Sequence, residues 1–219
     1  MNLLRYATLI FDCDGVILDS NRLKTAAFAT AAQPYGPDAV EALVEHHRAH
    51  GGISRYRKFE YFLQQIVGLP VEQPRLDRLL KTYACEVHDG LLTCTVDPGL
   101  GRLRAATTHA RWMVVSGGDQ DELREVFRRR QLAMNFDAGI FGSPDSKDEI
   151  VARELANSTI QMPALLLGDS RYDYEVASRA KLDFVFVSHW TECPKGTPGP
   201  ELNVFATVPD LDGLLVTRT

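Results

Sequence analysis

Two kinds of hydrophobic patterning alternate along this chain. Short, nearly continuous apolar runs fall at residues 7–11, 111–115, 136–141, 164–167, 183–187 and 204–207. Their β-branched and aromatic content, and the glycine or polar residues that close them, predict strands buried on both faces. Between several of them apolar residues recur at helical spacing, predicting helices over 119–130, 147–157 and 172–180. A short helix is expected after Asp97-Pro98-Gly99 and a last one near 210–215. Strands alternating with helices predict an α/β fold built on a parallel sheet, a Rossmann-like core covered on both sides.

One stretch breaks the alternation. From residue 19 to residue 88 the pattern is helical throughout. Asp19 or Ser20 can cap a first helix running to Ala32, which Pro34, Gly36 and Pro37 end. Asp38 can cap a second over 39–50, stopped by Gly51-Gly52. A third, over 54–67, carries Phe59, Phe62, Leu63 and Ile66 on one face, and a fourth covers 74–88. The expected organisation is a core of residues 1–17 and 94–219 with an inserted α-helical cap domain, 18–93.

Composition narrows the class. The chain has 219 residues, 45% hydrophobic and 24% charged, which suits a globular protein with a sizeable core. A net charge of −5 argues against nucleic acid as a general partner. Cys13, Cys85, Cys94 and Cys193 form no Cys-x-x-Cys pair and read as reduced thiols, so a cytoplasmic location is expected. The N-terminal apolar segment stops at Asp12, too early for a signal peptide, and no run suggests a membrane span. A monomer or weak homodimer is expected.

The chemistry-bearing residues cluster at predicted strand ends. Asp12 and Asp14 follow the first strand, and a period of two sends both carboxylates to the same side. Two carboxylates a few ångströms apart repel by about 4 kcal/mol at an effective dielectric near 20, so a hard divalent cation such as Mg2+ is expected between them. Asp-x-Asp-Gly also occurs in plain turns and calcium loops. Ser116 and Gly117 close the second strand, Lys147 follows the third, and Asp169 closes the fourth, with Asp173 one helical turn on. Each alone could be a turn residue, a solvated lysine or a first-turn acid. In an open parallel sheet, however, all of them arrive at the edge where ligands bind. Together they supply a nucleophile, a general acid, a hydroxyl donor, a cation and metal carboxylates.

The segments FDCDGVILDS, VVSGG, SPDSKDE and LLLGDSRYD resemble, in order, the four motifs of the haloacid dehalogenase superfamily. The helical insertion after the first motif resembles that family's first cap class. The resemblance implies a Mg2+-dependent phosphatase acting on a small phosphate ester. Asp12 would be the nucleophile that becomes an aspartyl phosphate, and Asp14 the general acid and then base. Ser116 and the Gly117 amide would hold phosphate oxygens, and Lys147 would neutralise charge. Asp169 would bind Mg2+ with Asp12 and the Asp14 main-chain carbonyl, and Asp173 would support the metal or Lys147. The presence of Asp14 separates the chain from the dehalogenases and favours phosphate chemistry. The stretch Gly52-Ile53-Ser54-Arg55 also resembles β-phosphoglucomutase, but Lys24 stands where that mutase has a histidine.

The cap loop, residues 51–58, is rich in cations. Arg55 is expected to meet a second anionic group of a phosphorylated sugar or organic acid such as phosphoglycolate, while Arg57 and Lys58 read as solvating charges. His46, His47 and His50 read as a solvated cap face. Trp112 is assigned to the core and Trp190 to the loop after the fifth strand. Two other readings remain open at this stage: a receiver-like phospho-accepting domain, which would lack the insertion, and a non-catalytic binding protein.

Overall fold

A computed structural model of the chain describes residues 2–193 and 206–216. Its strands are β1 (Thr8–Phe11), β2 (Arg111–Asp119), β3 (Ile140–Ser143), β4 (Ala164–Gly168), β5 (Asp183–Val187) and β6 (Ala206–Val208). They form one sheet in the order β3-β2-β1-β4-β5-β6, and every pairing is parallel. The order reverses at β1, which places a crevice beside Asp12 at the carboxyl edge.

Alternation within the strands assigns the two faces. Leu9, Phe11, Trp112, Val114, Leu165 and Leu167 pack with Leu103 of α5 (Leu100–Ala106), Phe127 of α6 (Gln120–Arg129) and Leu214 of α9 (Gly213–Val216). Ile10, Met113, Val115, Leu166 and Phe184 pack on the other face with Ile150 of α7 (Lys147–Ala156) and Val176 of α8 (Arg171–Arg179). Both faces are covered, so the strands read as unbroken apolar runs.

Between β1 and α5 lie α1 (Asn21–Ala32), α2 (Pro37–Ala49), α3 (Arg55–Tyr61) and α4 (Gln73–Thr93), the helical cap region. Phe28, Leu43, Phe59, Phe62, Leu79, Tyr83 and Val87 form its interior. Its two connections to the sheet run side by side: Asp97 N–H donates to Ile17 O and Asp19 N–H to Thr95 O, each at 2.9 Å.

Several local expectations are corrected. The third cap helix is not uniform: after Tyr61 the chain widens into π-helical turns, Phe62–Val67, and leaves through Gly68 at φ +74°. Gly36, not Asp38, precedes α2, with Pro37 starting the helix. Ser20 does precede α1, but its hydroxyl turns to Asp14 instead of capping. Helix α4 continues to Thr93 because Gly90 lets Leu23 of α1 lie against it; a Cβ there would sit 2.5 Å from Leu23. β3 begins only at Ile140, since Phe136 leaves a 3-10 turn and Gly139 takes φ +107°. β2 runs through Ser116-Gly117-Gly118 to Asp119, with a register shift after Val115. Trp112 is buried as expected. The loop expected over 194–200, and the start of the last strand at Val204, lie outside the described residues.

Candidate active site

Asp12 leaves β1 buried, with one carboxylate oxygen accepting from Cys13 N–H at 2.7 Å and the other 2.9 Å from Lys147 Nζ. Lys147, the first residue of α7, also donates to Asp173 Oδ1 at 2.5 Å. It is 1% exposed, and although burial opposes its charge, Asp12 and Asp173 hold its pKa above the ordinary lysine value. Asp173 is fixed from its far side by a reciprocal cap: Ser170 donates N–H and Oγ–H to Asp173 Oδ2, and accepts the Asp173 N–H. A capping box thus aims this acid into the site.

Asp169, at the end of β4, accepts from Asn21 Nδ2 at 2.7 Å. Carboxylate oxygens of Asp12, Asp169 and Asp173 lie within 4.8 Å of one another, and all three residues are buried. Lys147 is the single cation bonded to this trio among the described residues. Burial, ahead of the pull of Lys147, pushes Asp12 up to about 7. Burial and then the charges of Asp12 and Asp173 push Asp169 well above the carboxylate range. Buried, all-oxygen and short of positive charge, this cluster fits a hard divalent cation.

Gly15 is obligatory beside it. Its φ is +76°, and a Cβ there would sit 2.1 Å from Asp169 Oδ2.

Asp14 faces away from the acidic trio. Ser20 Oγ donates to its Oδ1 and Lys24 Nζ to its Oδ2, each at 2.6 Å. Burial alone would raise its carboxyl, but Lys24 and Ser20 outweigh that and hold it below the ordinary range. Its side chain is therefore not part of the carboxylate cluster, which has Asp173 in its place.

Ser116 is fully buried and its hydroxyl accepts Gly118 N–H at 3.0 Å. Gly117 lines the cavity under the cap, where the loop from α2 closes over it; a Cβ on Gly117 would meet Gly52 O at 2.2 Å. Gly52, at φ +79°, lies against Ser170 and the Lys147 ammonium. Only glycines permit this approach of cap to core.

Arg55, expected to meet a second anionic group of the substrate, lines the cavity and pairs with Glu122 of α6. Its two terminal nitrogens donate to the Glu122 carboxylate at 3.1 and 2.8 Å, and its guanidinium lies 4.9 Å from the Tyr83 ring centroid. Neighbouring Tyr56 donates to Asp119 Oδ2 at 2.7 Å. Lys58 is not a solvating charge either: it is 2% exposed and donates to His47 Nδ1 at 2.8 Å. His47 is half-buried and lines the cavity, while His46 stacks between His50 and Tyr61.

The pattern along the chain missed Asn21, Lys58 and His47 as site residues. Nothing local distinguishes them, because the fold of the cap alone turns them inward. Lys24 could be noticed only as a departure from the mutase pattern.

A family profile described as haloacid dehalogenase-like hydrolase matches residues 9–187. A predicted phosphatase from Clostridium acetobutylicum is 17% identical, covering 95% of this chain and 96% of its own, with TM-score 0.75. A hydrolase from Pseudomonas syringae is 19% identical over 95% and 96%, TM-score 0.75. A predicted phosphoglycolate phosphatase from Haemophilus somnus is 13% identical over 98% and 99%, TM-score 0.72. At these identities the likeness is one of fold. No curated protein sequence matches the chain. The family match runs from β1 to the end of β5, over the acidic cluster and the cap above it, and the chain belongs to the haloacid dehalogenase-like hydrolases.

Proposed function

We propose that this hydrolase is a Mg2+-dependent phosphomonoesterase for a small phosphorylated metabolite, a sugar phosphate or a phosphorylated organic acid, working through an aspartyl phosphate. The observation that carries the reading is the Lys147 bridge between Asp12 and Asp173, with Asp169 alongside and a closing cap loop above.

Asp12, Asp169 and the Asp14 main-chain carbonyl would hold Mg2+, with Asp173 supporting it. When bound, the ion supplies positive charge to the phosphoryl oxygens and to Asp12. An Asp12 carboxylate oxygen attacks phosphorus and the ester P–O bond breaks. Asp14, which Lys24 and Ser20 hold ionised in the free site, takes up a proton as the anionic ester enters, gives it to the leaving alkoxide, and then takes one from the water that attacks the aspartyl phosphate. Ser20 and Lys24 fix the Asp14 carboxylate for both steps. Lys147 keeps Asp12 in place and offsets the charge of the phosphoryl group, while Ser116 and the Gly117 amide receive its oxygens. In this reading residues 18–93 act as a cap on a core of 1–17 and 94–219. Such positioning and charge neutralisation are what phosphoryl transfer demands.

The test is phosphate release from a panel of phosphorylated metabolites with Mg2+, by the wild type and by Asp12→Asn. Turnover is expected to fall by about a thousandfold or more in the variant. Near-normal turnover by a folded Asp12→Asn protein would end the proposal.

A further inference from the structure

Four lysine and arginine side chains line the cavity beneath the cap: Lys24, Arg48, Arg55 and Lys58. Three have carboxylate partners. Lys24 pairs with Asp14, Arg55 with Glu122, and Arg48 with Glu192 at 3.8 Å. Lys58 has none among the described residues; its ammonium nitrogen meets only His47 Nδ1 and lies 5.5 Å from the Phe28 ring centroid.

That arrangement is costly without a ligand. A buried lysine needs a counter-charge or loses its proton. Burial, then the neighbouring charge of Lys24, bring Lys58 down to about 7, with Lys147 adding to the effect and Asp14 and Asp169 opposing it. His47 of α2 is held neutral by burial and by Lys58, so it adds no counter-charge. Phe28 of α1, in tilted ring contact with Phe59 of α3 and Tyr83 of α4, walls the pocket and supplies none.

We infer that Lys58, oriented by His47, is the subsite for a second anionic group on the substrate, which makes the preferred substrate a small phosphorylated carboxylic acid. The inference rests on the phosphatase reading above. An entering carboxylate provides the partner that Lys58 lacks and draws a proton onto its Nζ. A sugar hydroxyl provides only a neutral hydrogen bond, roughly half as strong.

The test compares kcat/KM for 2-phosphoglycolate, its neutral amide and an aryl phosphate, with Mg2+, in the wild type and in Lys58→Met. The wild type is expected to prefer the acid over the amide by roughly 10- to 100-fold. In Lys58→Met the preference should shrink to a few-fold, mainly through KM. A second measurement needs no variant: the acid-to-amide ratio in the wild type should fall as pH rises above about 7. Effects of pH on the catalytic carboxylates cancel in that ratio. A wild type that treats acid and amide alike, or a variant that loses equally on both, overturns the assignment of Lys58. No turnover of any of the three esters overturns the phosphatase reading itself, and this substrate assignment with it.

Discussion

The partner of Arg55 yields the sharpest prediction. From sequence, this arginine belongs to the substrate, and Arg55→Ala should then harm only substrates with a second anion. In the structure it joins the cap to the core. Its guanidinium and Glu122 form a two-pronged pair, and the side chains are 6% and 17% exposed, so solvent screens it weakly. A charge-assisted contact of this kind contributes about 1.5–3 kcal/mol. If that energy holds the cap closed, removing it lowers the closed-to-open ratio by roughly 10- to 150-fold. The kcat/KM of every substrate should fall by a similar factor, including an aryl phosphate with no second anion. Glu122→Ala should reproduce the loss. The double variant should lose no more than the worse single, giving a coupling energy of about 1.5–3 kcal/mol. Steady-state kinetics of the four proteins on 2-phosphoglycolate and an aryl phosphate measure this directly. The reasoning is refuted if Glu122→Ala retains wild-type kcat/KM while Arg55→Ala loses selectively on the doubly anionic substrate. The guanidinium would then serve the substrate during turnover, as the sequence suggests.

Three further outcomes follow from the geometry. Mg2+ at a hundredfold excess over its dissociation constant should stabilise the fold by about 2.7 kcal/mol, read as a rise in Tm that Asp169→Asn abolishes; an unchanged rise in that variant would remove Asp169 from the metal site. Gly15→Ala forces a Cβ towards Asp169 Oδ2 and a disfavoured backbone conformation, so the same Mg2+ response should be lost; full retention would contradict the close approach. Lys58 is depressed from 10.5 to about 7 in the folded state, so between those pH values the unfolded chain holds more protons and stability rises with pH. Lys58→Met should therefore raise Tm most below pH 7, with a benefit that fades towards pH 10, and a pH-independent difference in Tm would argue against a charge-desolvated Lys58.

Sequence by itself determined the parallel sheet, because strands buried on both faces must be apolar at every position, and 183–187 coincides with β5. It also determined the strand-edge residues, since Asp12, Lys147 and Asp169 are placed by local strand-to-helix geometry and the carboxyl edge collects them. Asp173 was picked out by the resemblance alone; the capping box with Ser170 that aims it into the site is seen in the structure. What tertiary structure decided is how charges pair across distant elements. Arg55 and Lys58 lie three residues apart in a cationic stretch, and nothing local tells them apart. The cap directs one to Glu122, 67 residues on, and the other inward to His47. Likewise the pairing of Lys24 on α1 with Asp14 is seen only in the packed structure. Periodicity reports which face of a helix is buried. Which charge meets which across a closed cleft depends on how two independently patterned units dock, and that information resides in the packed structure.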